Sequence, residues 1–105
     1  MDQRRPPRHD IRILGRYRTG HGMRRDVTML NISEEGCSFY DRHSILRPEQ
    51  AISLRVETLG PFDAYVRWVN NSLVGVEFVK PIYGPVFEYI RDTLDNSNWR
   101  PPAES

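Results

Sequence analysis

Polar and apolar positions alternate along most of this chain, and the period changes only near the C-terminus. From Ile11 onward, Ile11, Ile13 and Tyr17 fall on one face and Arg12, Arg16 and Arg18 on the other, the signature of a half-buried strand. A glycine-bearing loop, TGHGM (19–23), leads to a second strand over DVTMLNI (26–32). NISEEG (31–36) turns the chain, and GCSFY (36–40) makes a short third strand. A polar stretch over 41–50 precedes AISLRVE (51–57), where Ile52, Leu54 and Val56 share a face. Gly60-Pro61 reads as a turn. FDAYVRWV (62–69) and LVGVEFV (73–79) are two further strands, joined at Asn70-Asn71-Ser72 with hairpin spacing. Beyond Gly84, Pro85 suits a first helical residue, and Phe87, Ile90 and Leu94 recur at i, i+3 and i+7. The spacing predicts a helix over 85–95, and the breaker-rich residues 96–105 read as a frayed tail. Six short strands and one helix indicate a mainly β fold, a small antiparallel barrel with a helix packed on it.

Residues 1–10 show no periodicity and carry Pro6 and Pro7, so they read as a flexible arm ahead of a barrel over 11–95. Charge singles this arm out. Residues 1–25 hold eight arginines against two aspartates, whereas residues 26–105 hold seven basic against twelve acidic side chains. The chain's net charge of +1 therefore hides a basic arm on an acidic body. That split favours a small anion held at one place over a surface that coats a long polyanion, so a nucleic-acid partner is not expected. Fourteen of the fifteen basic residues are arginine, whose planar fork suits bidentate phosphate contacts and stacking on bases.

Two segments carry candidate chemistry. In RRPPR (4–8) the prolines hold the backbone near extended geometry, which lowers the entropy lost on docking. Arg4 and Arg8 then project the same way and Arg5 the other. Read alone, the segment also fits a solvated basic tail. In NISEEG, Asn31 and Ser33 share the face of Met29 if the alternation of the second strand continues, setting an amide beside a hydroxyl. Asn offers both a donor and an acceptor to a base edge, and Ser a hydroxyl to a phosphate or base. Gly36 supplies a backbone geometry or a close approach that a Cβ would block. An ordinary polar turn explains the same residues. Trp68 alternates with Val66 and Ala64, which gives it a core or barrel-end place, although an indole near the arm would also stack on a base.

Taken together, these segments resemble the PilZ domain family. The arm reads RxxxR (Arg4, Arg8), and 23 positions later the second strand ends in NxSxxG (Asn31, Ser33, Gly36). YVRWVNNSLVGVEF is similar to the family's V-W…VG-x-F strand pair, and the likeness covers roughly residues 3–95. The resemblance implies a six-stranded antiparallel β-barrel with a C-terminal α-helix and binding of cyclic di-GMP. Carried over by position, Arg4 and Arg8 clamp phosphate and guanine with Arg5 as an auxiliary. Asn31, Ser33 and Gly36 form the platform on the barrel, and Trp68 is an added candidate. Arg12 and Arg16 also read RxxxR, but inside the first strand and too near Asn31 to fold over a ligand.

No nucleophile–base arrangement, phosphate-cradling glycine loop or paired-carboxylate motif is present, so an enzyme is not expected. With His9, His21 and His43 scattered and Cys37 the single cysteine, neither a metal site nor an internal disulfide is expected. No apolar run approaches the roughly 20 residues that span a bilayer, and a bacterial, cytoplasmic location is the expectation. No cofactor is expected beyond the ligand, and output is expected through an unidentified downstream protein as ligand orders the arm. Two other functions fit the same pattern: a protein-interaction module of this fold without ligand, and a single-stranded nucleic-acid binder on a small barrel.

Overall fold

The computed structural model describes residues 9–94. Six strands, β1 (His9–Thr19), β2 (Arg24–Ile32), β3 (Gly36–Tyr40), β4 (Ala51–Val56), β5 (Leu59–Asn70) and β6 (Leu73–Phe78), precede a short helix α1 (Gly84–Tyr89) and a π-helical turn (Ile90–Leu94). All pairings are antiparallel and close in the order β1-β2-β3-β6-β5-β4, so no strand keeps an open edge. The expected six-stranded barrel with a C-terminal helix is therefore the observed fold.

Alternation builds the interior. Ile11, Ile13 and Tyr17 of β1, Val27 and Met29 of β2, and Phe39 of β3 are buried. Leu54, Val56, Val66 and Val74 are among the residues that continue the lining on the other strands, and their outward neighbours are mostly charged or polar. Ile82, Phe87 and Ile90 are buried on the same core, and the π turn packs on β1. The apolar stripe expected over 85–95 survives, but as one α turn and a half followed by a wider π turn. In so short a helix, anchoring of Phe87 and Ile90 in the core outweighs intrinsic helix preference.

Two expected details change. The β4–β5 hairpin turns at Glu57-Thr58, between paired Val56 and Leu59, and Gly60-Pro61 lies within β5. Glu57 takes a left-handed φ of 56° there, so two residues suffice for the turn. Asn71, at φ 58°, does the same in the two-residue β5–β6 turn. The strands also start earlier than the apolar pattern suggests: β1 at His9, β2 at Arg24 and β5 at Leu59. Ladder hydrogen bonds extend past the last apolar side chain.

One end of the barrel is closed by a buried polar network. The Tyr17 hydroxyl donates to Asp41 Oδ2 at 2.8 Å, and Arg25 Nε donates to Asp41 Oδ1 at 2.9 Å. Arg25 also reaches the Arg42 carbonyl through Nη2, and the Asp41 N–H donates to Ser72 at 2.8 Å. Asp41 is buried, so its carboxylate depends on these donors. Tyr17 stacks on Phe39 with ring centroids 5.8 Å apart, fixing the phenol that caps the network.

Burial, and then the bond to Asp41, push the Tyr17 hydroxyl above its ordinary range near 10. The neutral phenol is thus favoured by folding. Its stabilising share is complete below pH 10 and declines at higher pH as only the unfolded chain ionises. Tyr17→Phe is expected to lower stability by about 1–3 kcal/mol at neutral pH, because Asp41 loses a donor. The same variant flattens the alkaline decline. Denaturant titrations between pH 7 and pH 11 measure both; equal stability of the two proteins at pH 7 overturns the network's role.

Candidate functional site

The turn after β2 is held from within. The Ser33 N–H donates to the Gly36 carbonyl at 2.8 Å. The Ser33 hydroxyl donates to the same carbonyl at 3.4 Å and accepts the Glu35 N–H at 3.1 Å. At 3% exposure, Ser33 makes its described contacts inside the turn and shapes it. Gly36 is required by close approach. A Cβ there would sit 2.4 Å from the Val76 carbonyl oxygen of β6, a backbone atom that cannot swing aside. The expectation that a side chain is excluded at Gly36 holds, and the excluding atom belongs to the barrel wall.

Asn31 and Ser33 do not share the face of Met29. The β2–β3 register shifts between Met29 and Asn31, so that Met29 pairs with Phe39 but Asn31 already pairs with Ser38. This bulge reverses the inside–outside parity. Met29 and Ile32 point into the core, and Asn31 turns to the outer face, half-buried. A second shift, between Val66 and Trp68, acts likewise on β5. Val66 pairs with Val76 inside, and Trp68 pairs with Gly75. Trp68 therefore parts from Val66 and Ala64 and stands outside at 45% exposure. Strict alternation had put it with them.

The two shifts serve one row. Across the strands, Asp10 pairs with Asn31, Asn31 with Ser38, Ser38 with Gly75, and Gly75 with Trp68. Partners in register face the same side, so these five residues form a transverse line on the outside of the barrel. Ser38 and Gly75 are buried and make its floor. The Trp68 indole lies over Gly75, where an added Cβ would come within 2.2 Å of Cε2 and Nε1. With neighbouring strands about 4.8 Å apart, the Asn31 and Trp68 backbones are about 14 Å from one another, and the indole narrows the gap. An amide wall, a floor without side-chain bulk and an aromatic wall result. Ser38 and Gly75 escaped sequence reasoning, although a glycine between two strand valines is a signal of close approach.

Charge around the row is mostly acidic or already paired. Asp10, Glu34 and Glu35 are exposed. Arg67 donates to Glu77 at 2.8 Å and to Glu49 at 3.1 Å, and Arg12 donates to the Ile11 carbonyl at 2.6 Å. Arg4, Arg5 and Arg8 lie outside the described residues, but His9 pairs with Ile32, beside the turn. The alternative pair separates: Arg16 Nε donates to Asp26 Oδ1 at 2.7 Å, a bond that lowers the Asp26 carboxyl below its ordinary range. Arg24 and Arg25 are in β2 at the other end of the barrel, with Arg25 bound to Asp41.

Against known proteins, the family model described as PilZ domain matches residues 2–92, and no curated protein matches the chain. The match spans β1 to β6, α1 and most of the π turn.

The two glycines of the site are expected to answer differently to the same change. Gly36→Ala forces β3 from β6 and is expected to lower stability by about 2–3 kcal/mol. Gly75→Ala meets the exposed indole first, which can rotate away, so stability is expected to change less while Trp68 fluorescence shifts to the red. Denaturant midpoints with emission spectra measure the pair. A Gly36→Ala midpoint equal to that of the parent overturns the close-approach account.

Proposed function

The chain belongs to the PilZ domain family, and from that membership we propose that it is a receptor for cyclic di-GMP, holding it on the outer row between Asn31 and Trp68 beneath the N-terminal arm. PilZ domains are generally cyclic di-GMP-binding modules and work as binding or adaptor domains rather than as enzymes. The observation that carries the reading is the pairing of His9 with Ile32. His9 follows Arg8 directly in sequence and Ile32 lies within NISEEG, so the start of β1 stands beside that turn, which supports a reading in which the RxxxR segment serves it.

The chemistry is divided between two walls. Cyclic di-GMP has two phosphates and two guanines. The guanidinium groups of Arg4 and Arg8, with Arg5 as an auxiliary, take phosphate and base edges through charge-assisted bonds. Asn31 offers the amide that reads a guanine edge, and Trp68 a face for stacking. Ser33 and Gly36 hold the turn in shape and keep the strand close to β6. The described part of the site carries exposed acids, so the cations that meet a phosphate come from the arm. Docking of the arm on ligand then changes the outer surface offered to a downstream protein, in the cytoplasm of a bacterial cell. Among the described residues no helix is long and apolar enough to cross a membrane.

Isothermal titration with cyclic di-GMP, GMP and cyclic AMP tests the assignment. Heat is expected with the first alone. Arg8→Ala and Asn31→Ala are each expected to weaken binding about tenfold or more, through loss of one or more charge-assisted or base-edge bonds. Trp68→Ala removes a stacking face worth about 1–3 kcal/mol. Absence of heat with cyclic di-GMP, or full affinity in Arg8→Ala, refutes the proposal.

A further inference from the structure

The far end of the barrel carries a second cationic feature that the row at Asn31 does not use. Arg16 and Arg18 point outward from β1, Arg24 from β2 and Arg55 from β4. In the ladder, Arg18 pairs with Arg24 and Arg16 with Arg55. Two cross-strand like-charge pairs therefore stand in adjacent rows. Opposed Cβ atoms in such pairs are about 5 Å apart, and rows two residues apart along a strand are about 7 Å apart. The four arginines, with Ser53 and Pro61, line a concavity of about 280 Å³.

Like charges directly opposed across a ladder destabilise it. Asp26 meets Arg16 at 2.7 Å, and Arg55 donates to the Gly60 carbonyl at 3.3 Å. Arg18 and Arg24 have no hydrogen-bond or ion-pair partner among the described residues. Asp63, paired in register with Ser53, is the flanking acid on β5 and is exposed. Four guanidinium groups thus converge on one hollow with one ion pair among them. The concavity offers no aromatic platform: the one ring lining it belongs to Tyr17, which is fully buried. Trp68 and the exposed Tyr40 and Tyr65 sit on β5 and β3, not on the three strands bearing the arginines. Stacked bases are therefore not what the hollow accommodates; adjacent phosphates are.

We propose that the outer face of β2-β1-β4 is a second anion site, selective for a compact polyphosphate such as pyrophosphate or the phosphate chain of a nucleoside triphosphate. Arg18 and Arg24 are its principal ligands, with Arg16 and Arg55 behind them. It is separate from the row at Asn31, because Arg18 is eight residues along β1 from Asp10, about 26 Å in an extended strand. A seated polyanion turns two repulsive cross-strand pairs into attractive contacts, so binding raises barrel stability and is independent of cyclic di-GMP.

Titration of the full chain with pyrophosphate and with ATP, at ionic strength matched by sodium chloride, tests the site, with thermal midpoints as a second readout. Binding and a raised midpoint are expected with both polyphosphates, and Arg18→Ser/Arg24→Ser is expected to weaken binding about tenfold or more. The double variant without ligand is expected to keep or raise the parent's midpoint, which a merely structural role for the arginines would not produce. Its cyclic di-GMP titration is expected to match the parent's, whatever that titration shows. Arg55→Gln, in the other row, gives an independent loss if the double variant fails to fold. A midpoint shift no larger than the sodium chloride control, or unchanged polyphosphate binding in both variants, overturns the site. So does binding of a single-stranded oligonucleotide where pyrophosphate gives no heat.

Discussion

A closed barrel has one inside, and strand geometry gives each residue a parity that decides whether it faces in or out. Everything else in this molecule depends on that constraint. Kept without interruption, it would have sent Asn31 to the face of Met29 and Trp68 to that of Val66, into the core. Two of the barrel's register shifts break it at the candidate site, one before Asn31 on β2 and one before Trp68 on β5. Each costs a little ladder regularity, and each delivers a side chain of the candidate site to the outside. Both corrections land on the same transverse row, so the candidate site is a consequence of where the barrel loses count.

The network of Tyr17, Asp41 and Arg25 supplies the counterweight. The row at Asn31 needs a wall whose strands do not slide, since a slip by one residue would exchange inner and outer sets. At the opposite end, Asp41 is bound by side chains from β1 and β2, and its own N–H reaches the β5–β6 hairpin. Register is thereby pinned far from the row at Asn31. Fixed strand ends at one pole leave the other free to carry a turn with exposed acids.

Much of this was legible in the sequence. β3 falls where its alternation ends, β4 and β6 within a residue of it, and of the residues that carry the PilZ resemblance the fold brings Asn31 and Trp68 to one row. Parity breaks were not legible, because a bulge is defined by two residues opposing one on a neighbouring strand, and the neighbour is not written beside them. For the same reason Gly60-Pro61 passed for a turn: the hairpin was set by the left-handed backbone at Glu57, a residue type that does not announce it. Asp41 looked like part of a polar linker, and only the approach of Tyr17 and Arg25 makes it a buried centre. The arginine face escaped for a related reason, since Arg24 and Arg55 are far apart along the chain and become neighbours only through β1.

The NISEEG turn has a second set of bonds whose meaning lies beyond its shape. The carbonyl of Glu35 receives the Phe78 N–H at the end of β6, and that of Glu34 receives the Ile82 N–H before α1, each at 2.8 Å. The peptide units that shape this turn beside the candidate row are thus also the mooring of the helix connector. Any tilt that a ligand imposes on this turn is a tilt of the mooring, delivered to the segment of Val79 and Tyr83, whose side chains stand largely in solvent. Turn and connector in this respect form a lever with a very short arm: they share two peptide bonds.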